Sequence, residues 1–214
     1  MRGCFSKSQK THKRVGSSNM NMMVFNTAKE QEICQEIMAW SDHTLSAPND
    51  FYNGLPACPY AQKAWADEKV AILFKYDKNL QALYSTLSQW EDSLDLVIIV
   101  DLNFSEDPDT FHDTLNDLNK AISKGVFIDR DMWVMGFHPH DEANDFIDDN
   151  TFTHLVEDEY AMIFVQRLSK VQESADKLAE KGYYDNYLEE YNAAELFQER
   201  ADFYRRLKNG DETT

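Results

Sequence analysis

The sequence predicts a single α/β domain with a four-stranded, mostly parallel sheet that is flanked by helices. Its 214 residues are enough for one sizeable core. Four short apolar segments alternate with segments of helical periodicity. Only seven glycines and five prolines leave too few turn residues for a jelly roll or a propeller. We therefore expect a sheet joined by right-handed crossovers, with room for one antiparallel strand at an edge.

The first helix signals lie in the amino-terminal third of the domain. Thr27 and Glu30 have the spacing of a capping box, and apolar residues at helical spacing then predict a helix over Ala28–Trp40. A second, short helix is expected over Cys58–Ala66, because Pro59 is tolerated in a first helical turn.

Four segments predict strands because they are short, apolar and rich in β-branched residues. They are Lys69–Tyr76, Leu94–Asp101, Met132–Phe137 and Tyr160–Arg167. The second segment has the longest aliphatic run, so it is the best candidate for a central parallel strand buried on both faces. Further helices are predicted around 80–90, over 108–124 before Gly125, around 171–178 before Gly182, and around 187–204 as an added C-terminal helix.

The charge is distributed unevenly along the chain. The whole chain has a formal net charge of −17, with 38 acidic and 21 basic residues. Residues 1–25 contain five basic residues and no acidic one, so residues 26–214, with 16 basic and 38 acidic residues, have a net charge of −22. Such acidity excludes a general nucleic-acid binder, because it repels phosphate. We expect a disordered basic arm over 1–25, one folded domain over 26–208 and a disordered tail over 209–214.

Cysteine usage and hydropathy predict a compartment. Cys4, Cys34 and Cys58 form no paired-cysteine motif, which favours a reducing environment over a disulfide framework. No apolar stretch is long enough for a signal peptide or a membrane span. The sequence therefore predicts a cytoplasmic protein without a membrane span. It contains no nucleotide-cofactor motif and does not define an oligomeric state.

A pair of histidines follows the third predicted strand. His138 and His140 would project on the same side of an extended chain, and Asp141 and Glu142 follow them directly. Two imidazoles and a carboxylate are typical ligands of zinc or iron. Nine acidic residues and no Lys or Arg lie between 131 and 166, so this region should attract cations. The alternative is a solvated acidic loop whose histidines cap a strand.

Three other residues are candidates for chemistry. Cys58 lies at a predicted helix start, where free N–H groups stabilise a thiolate, so it is a nucleophile, a metal ligand or a small buried residue. Arg167, after the fourth strand, suits a bound carboxylate or phosphate, or it neutralises a carboxylate at 157–159. Asp101, at the end of the second strand, is a weaker candidate.

The order of the short motifs resembles a bacterial family of domains of unknown function. Members of that family carry a Leu-Cys-Pro-Phe-Ala segment, a later Phe-His-Pro segment, and an arginine near the end of the following strand. The matching positions here are Cys58–Ala61, Phe137–Pro139 and Arg167, within residues 30–182. The resemblance implies that the cysteine, the histidine and the arginine of these segments converge on one pocket, and it implies no particular reaction.

The leading hypothesis is a small cytoplasmic enzyme that acts on a small molecule. Its pocket would be formed by Cys58, His138, His140 and Arg167. In the metal version, iron or zinc is held by the two histidines and one of the two carboxylates after them, as in an oxidoreductase or a hydrolase. In the thiol version, the cysteine attacks, His138 moves the proton and the arginine holds an anionic substrate.

The competing hypothesis is a non-catalytic binding or scaffold protein. It would recognise a basic partner through its acidic face and an aromatic C-terminal helix. The aromatic residues of that helix are Tyr187, Tyr191, Phe197 and Tyr204. Their helical spacing favours packing against the domain over a ligand site.

Overall fold

The computed structural model describes residues 27–126, 129–141, 152–186 and 194–210. The described helices are α1 (Ala28–Trp40), α2 (Ala61–Ala66), α3 (Gln81–Ser88), α4 (Pro108–Ser123), α5 (Leu168–Ala179) and α6 (Ala194–Asn209). The described strands are β1 (Pro48–Asn49), β2 (Leu55–Pro56), β3 (Val70–Lys75), β4 (Leu96–Asp101), β5 (Trp133–Phe137) and β6 (Ala161–Gln166). The predicted basic arm and residues 211–214 of the predicted tail lie outside the described residues.

Capping and stop signals determine several helix ends. At the start of α1, Thr27 Oγ1 accepts the Glu30 N–H at 3.1 Å, and the Glu30 carboxylate accepts the Thr27 N–H at 3.1 Å. The first turn of α4 has Asp107 as its N-cap. Helix α2 begins later than predicted, at Ala61 instead of Cys58, so Cys58 lies in the turn before the helix. These local interactions satisfy N–H groups that a helix leaves unpaired.

The four long strands form a mixed sheet in the order β3-β4-β6-β5. Strands β3 and β4 are parallel, whereas β6 is antiparallel to both of its neighbours. The α/β class is therefore confirmed, but the sheet is not mostly parallel, since only one of three neighbouring pairs is parallel. The antiparallel strand is also internal and not at an edge. An apolar run such as Ala161–Val165 indicates burial on both faces, and it carries no information on strand direction.

Both faces of the sheet are covered by helices. On one face, α3 and α4 pack on alternate sheet residues, and this α4 face includes Val97, Ile99, Phe111, Leu115, Val134 and Ile163. On the other face, α1 packs on the intervening residues, and this α1 face includes Ile33, Ile37, Ile72, Ile98, Val100 and Met162. Because successive side chains of a strand point to opposite faces, each apolar run contributes to both cores.

The C-terminal helix belongs to the packed domain. Phe203 and Tyr204 of α6 are buried against Trp133 of β5 and Leu168 of α5. These α6 rings therefore stabilise the fold and are not exposed for a partner. Tyr187 and Tyr191 lie outside the described residues. Within the ranges that the structure describes, no helix has both the length and the hydropathy needed to cross a membrane.

Helix α4 lies unusually close to the edge strand β5. A Cβ atom built on Gly136 would lie 2.4 Å from Phe111 Cε1 and 2.7 Å from Leu115 Cδ1. The Asn119 side chain also donates to the Val134 carbonyl at 2.8 Å and accepts the Val134 N–H at 2.9 Å. Asn119 thus satisfies backbone groups that an edge strand would leave unpaired. The close approach holds α4 beside the carboxyl end of β5.

We predict that Gly136→Ala destabilises the domain by about 1–3 kcal/mol, because the added methyl group overlaps two buried side chains. Urea unfolding measures the change. Met135→Ala is the control, since Met135 is on the same strand but exposed, and we expect it to change the free energy of unfolding by about 0.5 kcal/mol or less. An increased stability of Gly136→Ala, as expected for alanine in an open strand, would contradict the close contact.

Candidate functional site

Polar side chains meet at one edge of the sheet. Strands β3, β4 and β5 run in the same direction, so their carboxyl ends lie at this edge, where the antiparallel β6 begins. We call it the carboxyl edge. Lys75 and Asp101 end β3 and β4, and His138 directly follows β5. Ligand sites in α/β proteins commonly occur at this edge, because the loops that follow the strands meet there.

A buried ion pair joins the ends of the two parallel strands. Lys75 and Asp101 are register partners, and Lys75 Nζ donates to the two Asp101 carboxylate oxygens at 2.9 and 3.0 Å. The two residues are only 3 % and 4 % exposed. Asp101 Oδ1 also accepts the Asn103 N–H at 3.0 Å, which fixes the loop after β4. Sequence reasoning missed Lys75, because a lysine at a strand end is usually solvated.

A second polar contact ties α1 to the same edge. The Tyr76 hydroxyl donates to Glu30 Oε1 at 2.7 Å, and the Asn103 side-chain amide donates to the Tyr76 carbonyl at 3.3 Å. Burial and the neighbouring Glu30 carboxylate raise the pKa of Tyr76 to about 12. The tyrosine therefore keeps its proton and remains a donor at neutral pH. Glu30 serves both the helix cap and this contact.

His138 lies inside the edge and is not a surface ligand. Its side chain is fully buried, at 0 % exposure, against the rings of Phe104 and Phe111, with ring centres 5.1 and 5.5 Å away. Its Nε2 lies 2.8 Å from the Ser105 carbonyl oxygen, and its Nδ1 lies 3.1 Å from the His140 backbone nitrogen. A carbonyl only accepts and an amide only donates, so these partners assign the proton to Nε2.

The carboxylate of Asp141 joins two histidines. Asp141 Oδ2 accepts the His138 backbone N–H at 2.8 Å, and Asp141 Oδ1 lies 2.8 Å from His112 Nε2. Burial acts to raise the pKa of the Asp141 carboxyl, but the hydrogen bonds from His112 and His138 lower it below its ordinary value. The carboxylate is therefore ionised at neutral pH. We call the Asp141–His112 pair the dyad.

The imidazole of His112 is partly exposed, and the carboxylate that it contacts is itself held by the backbone of His138. Its side chain is 37 % exposed on α4, and only Nε2 has a hydrogen-bond partner among the residues that the structure describes. A carboxylate partner on Nε2 favours the tautomer in which Nδ1 has a lone pair. Sequence reasoning missed His112, since no local pattern links it to a carboxylate 29 positions later.

The segment before β6 is fastened to α1 and contacts the second predicted ligand. Glu36 of α1 is buried and accepts the backbone N–H groups of Leu155 and Val156 at 2.5 and 2.9 Å, as well as the Tyr160 hydroxyl at 2.8 Å. His140 is exposed, and its Nε2 lies 3.1 Å from the carboxylate of Glu159 in this segment. The anchored segment thus forms one wall of the carboxyl edge.

Arg167 lies at the opposite edge of the sheet from His138. It follows the carboxyl end of β6, whereas His138 lies beside the amino end of this antiparallel strand. Six strand residues correspond to roughly 20 Å. Arg167 forms ion pairs with Asp92, at 2.5 Å, and with Asp129, and it lies over the Trp90 ring. It therefore neutralises carboxylates, although not those that the sequence suggested, and the structure does not bring it into a pocket with His138.

Cys58 lies on the other face of the sheet from His138. Its N–H donates to the carbonyl of Leu45, which packs on the α1 face, whereas the ring contacts of His138 belong to the α4 face. Burial raises the pKa of the Cys58 thiol, although hydrogen bonds from the Tyr60 and Ala61 backbone act in the opposite direction. A raised pKa is the reverse of what an activated thiolate requires. The half-buried Cys58 therefore lacks the lowered pKa that a nucleophile needs.

The predicted metal ligands are only partly described. Both ring nitrogens of His138 contact protein groups, so this imidazole would have to give up a hydrogen bond to bind a metal ion. Glu142 lies outside the described residues. Within the described ranges, no group of three or more His, Cys, Asp or Glu side chains is placed to hold a metal ion. Binding of iron or zinc stays a prediction.

No protein-family model, curated protein or solved structure matches this chain. The resemblance to the bacterial family therefore stays a prediction, and function has to be inferred from the geometry of the carboxyl edge.

We predict strong coupling between Lys75 and Asp101. Asp101→Asn leaves a buried ammonium group and Lys75→Met leaves a buried carboxylate, so each should lower the free energy of unfolding by about 3–5 kcal/mol. The double variant Lys75→Met/Asp101→Asn removes both charges, and it should be more stable than either single variant. Urea unfolding of the four proteins gives the coupling free energy. If the loss of unfolding free energy in the double variant equals the sum of the losses in the two single variants, the ion pair does not organise this edge.

We also predict that the Cys58 thiol reacts slowly with iodoacetamide at pH 7, because burial raises its pKa. Its rate should increase only as the pH passes above about 8.5, the ordinary value for a thiol. Peptide mapping by mass spectrometry follows each cysteine separately. Cys34, which is buried in the α1 face, is the internal control for unfolding. Rapid modification of Cys58 near pH 7 without modification of Cys34 would contradict the raised pKa of this thiol.

Proposed function

We propose that this protein is an enzyme that transfers a proton to or from a small molecule at the carboxyl edge of its sheet. His112 is the general acid or base, and Asp141 orients it. The observation that supports this proposal is the 2.8 Å contact between Asp141 Oδ1 and His112 Nε2, with the side chain of His112 still 37 % exposed. A fixed and accessible imidazole is the arrangement that general acid–base catalysis requires.

The surroundings of the dyad support this role. The His138 backbone N–H binds Oδ2 of Asp141, and this bond fixes the orientation of the carboxylate. The other oxygen, Oδ1, therefore faces His112. Asp107 is the N-cap of α4 and Asp109 lies in its first turn, on the helix that carries His112. Glu159 lies in the wall formed by the segment before β6. Negative charge on both sides favours a neutral or cationic substrate over an anionic one.

The earlier alternatives fit these contacts less well. The thiol version needs Cys58, His138 and Arg167 in one pocket, and these residues are separated by the two faces and the two ends of the sheet. Of the aromatic residues that the scaffold hypothesis uses, Tyr204 is buried in the domain, and Phe197 packs against Tyr184 and Arg200. A proton-transfer enzyme requires only side chains that are already in contact.

We predict that His112→Gln lowers the rate at which the protein converts its small-molecule substrate by about 10²- to 10⁴-fold, the usual contribution of a general acid or base. Asp141→Asn should also lower it, because the imidazole loses its fixed tautomer. Mass spectrometry of small-molecule fractions incubated with the purified protein detects the reaction. A reaction that proceeds equally well in His112→Gln would refute the proposal.

The matched control is Asp113→Asn. Asp113 is an exposed carboxylate next to His112 on α4 and takes no part in the dyad. Its replacement makes the same change in charge as Asp141→Asn, and we expect it to leave turnover within about twofold, in line with the small effects of surface substitutions. Equal losses in both aspartate variants would assign the effect to the general acidic field and not to the dyad.

A further inference from the structure

We propose that His138 is a positioning residue of the dyad, and that it acts as a neutral imidazole with its proton on Nε2. This inference rests on the proposed function of His112 and Asp141. It assigns to the buried histidine a role that involves neither a metal ion nor a substrate.

The ring of His138 joins two loops that come from different strands. Its Nε2–H donates to the Ser105 carbonyl at 2.8 Å, in the loop between β4 and α4. Its Nδ1 accepts the His140 N–H at 3.1 Å, in the turn after β5. A protonated ring would lose the second bond and bury a charge, whereas the other neutral tautomer would lose both bonds. Only the neutral Nε2–H form satisfies both partners.

The backbone of His138 holds the carboxylate of the dyad. The His138 N–H donates to Asp141 Oδ2 at 2.8 Å, and the Asp141 N–H donates to the His138 carbonyl at 3.1 Å. These two bonds close a tight turn over 138–141. The remaining carboxylate oxygen, Oδ1, then faces His112. The position of Asp141 therefore depends directly on where His138 is fixed.

Packing connects the same ring to the helix that carries His112. The His138 ring lies against Phe111, the residue immediately before His112 on α4, and against Phe104 in the loop before the helix. The ring thus sets the distance between α4 and the turn after β5. Both members of the dyad are located by contacts with His138, although the imidazole of His138 itself is fully buried.

The test is the protonation pattern of the imidazole rings, observed by long-range ¹⁵N–¹H NMR at pH 7. In the wild-type protein, we expect the proton of His138 on Nε2 and the Nε2–H tautomer of His112 in about tenfold excess or more, because a hydrogen bond to a charged acceptor is worth about one factor of ten. A proton on Nδ1 of His138 would overturn the proposal without any substitution.

Three variants then separate positioning from simple packing. His138→Phe keeps a ring but loses both side-chain hydrogen bonds, so the tautomer ratio of His112 should fall towards that of free histidine. His138→Asn keeps an acceptor near the position of Nδ1, and His138→Gln keeps a donor near Nε2. In each of these variants, the excess of the Nε2–H tautomer of His112 should be larger than in His138→Phe and smaller than in the wild-type protein. If all three fold and leave the ratio of His112 at the wild-type value, His138 is only a packing residue.

Asp141→Asn, measured beside them, distinguishes the two proposals. If it leaves the tautomer ratio of His112 unchanged, the dyad itself fails, and the proposed function fails with it. If it changes the ratio but the His138 variants do not, only the positioning role is overturned. If His138→Phe does not fold, the comparison of His138→Asn with His138→Gln and the wild-type protonation pattern still decide the outcome.

Discussion

The antiparallel insertion of β6 between β4 and β5 is the constraint on which the arrangement of this protein depends. It lets β5 run in the same direction as β3 and β4, so the loops after all three strands meet at one edge. It also places the anchored segment before β6 at that edge, and it places Arg167, which follows β6, at the opposite edge of the sheet. A fully parallel sheet of the same elements would have placed the residue after the fourth strand beside His138.

The polar residues of the carboxyl edge are arranged in interlocking pairs. The buried Lys75–Asp101 pair fixes the ends of β3 and β4, and Asp101 continues through Asn103 to the loop after β4. The carbonyl of Ser105 in that loop accepts a hydrogen bond from Nε2–H of His138. In this way, strand ends, loops and the dyad share one set of hydrogen bonds. Buried polar groups of this kind are costly unless every partner is present, which makes the set cooperative.

The histidines of this edge show how burial changes the meaning of a motif. The His-x-His spacing of His138 and His140 suggests a pair of equivalent ligands, but one ring is fully buried and the other is exposed. The buried ring of His138 forms hydrogen bonds with the backbone of Ser105 and His140, whereas the exposed ring of His140 contacts the Glu159 carboxylate. The imidazole on which the proposed function rests, that of His112, comes from a helix on the α4 face and has no motif of its own. Its partner, Asp141, is the carboxylate that the sequence suggested as a metal ligand.

The sequence by itself determined the main helices and the four long strands of this fold. The capping box of α1, the stop of α4 and the four apolar runs follow from interactions within a few residues, so periodicity and composition predict them. The tertiary structure alone decided the direction of β6, the burial of His138, and the pairings of Lys75 with Asp101 and of His112 with Asp141. These pairs are 26 and 29 residues apart, and contacts at such separations depend on how strands and helices pack in space. No local pattern of residue types specifies that packing.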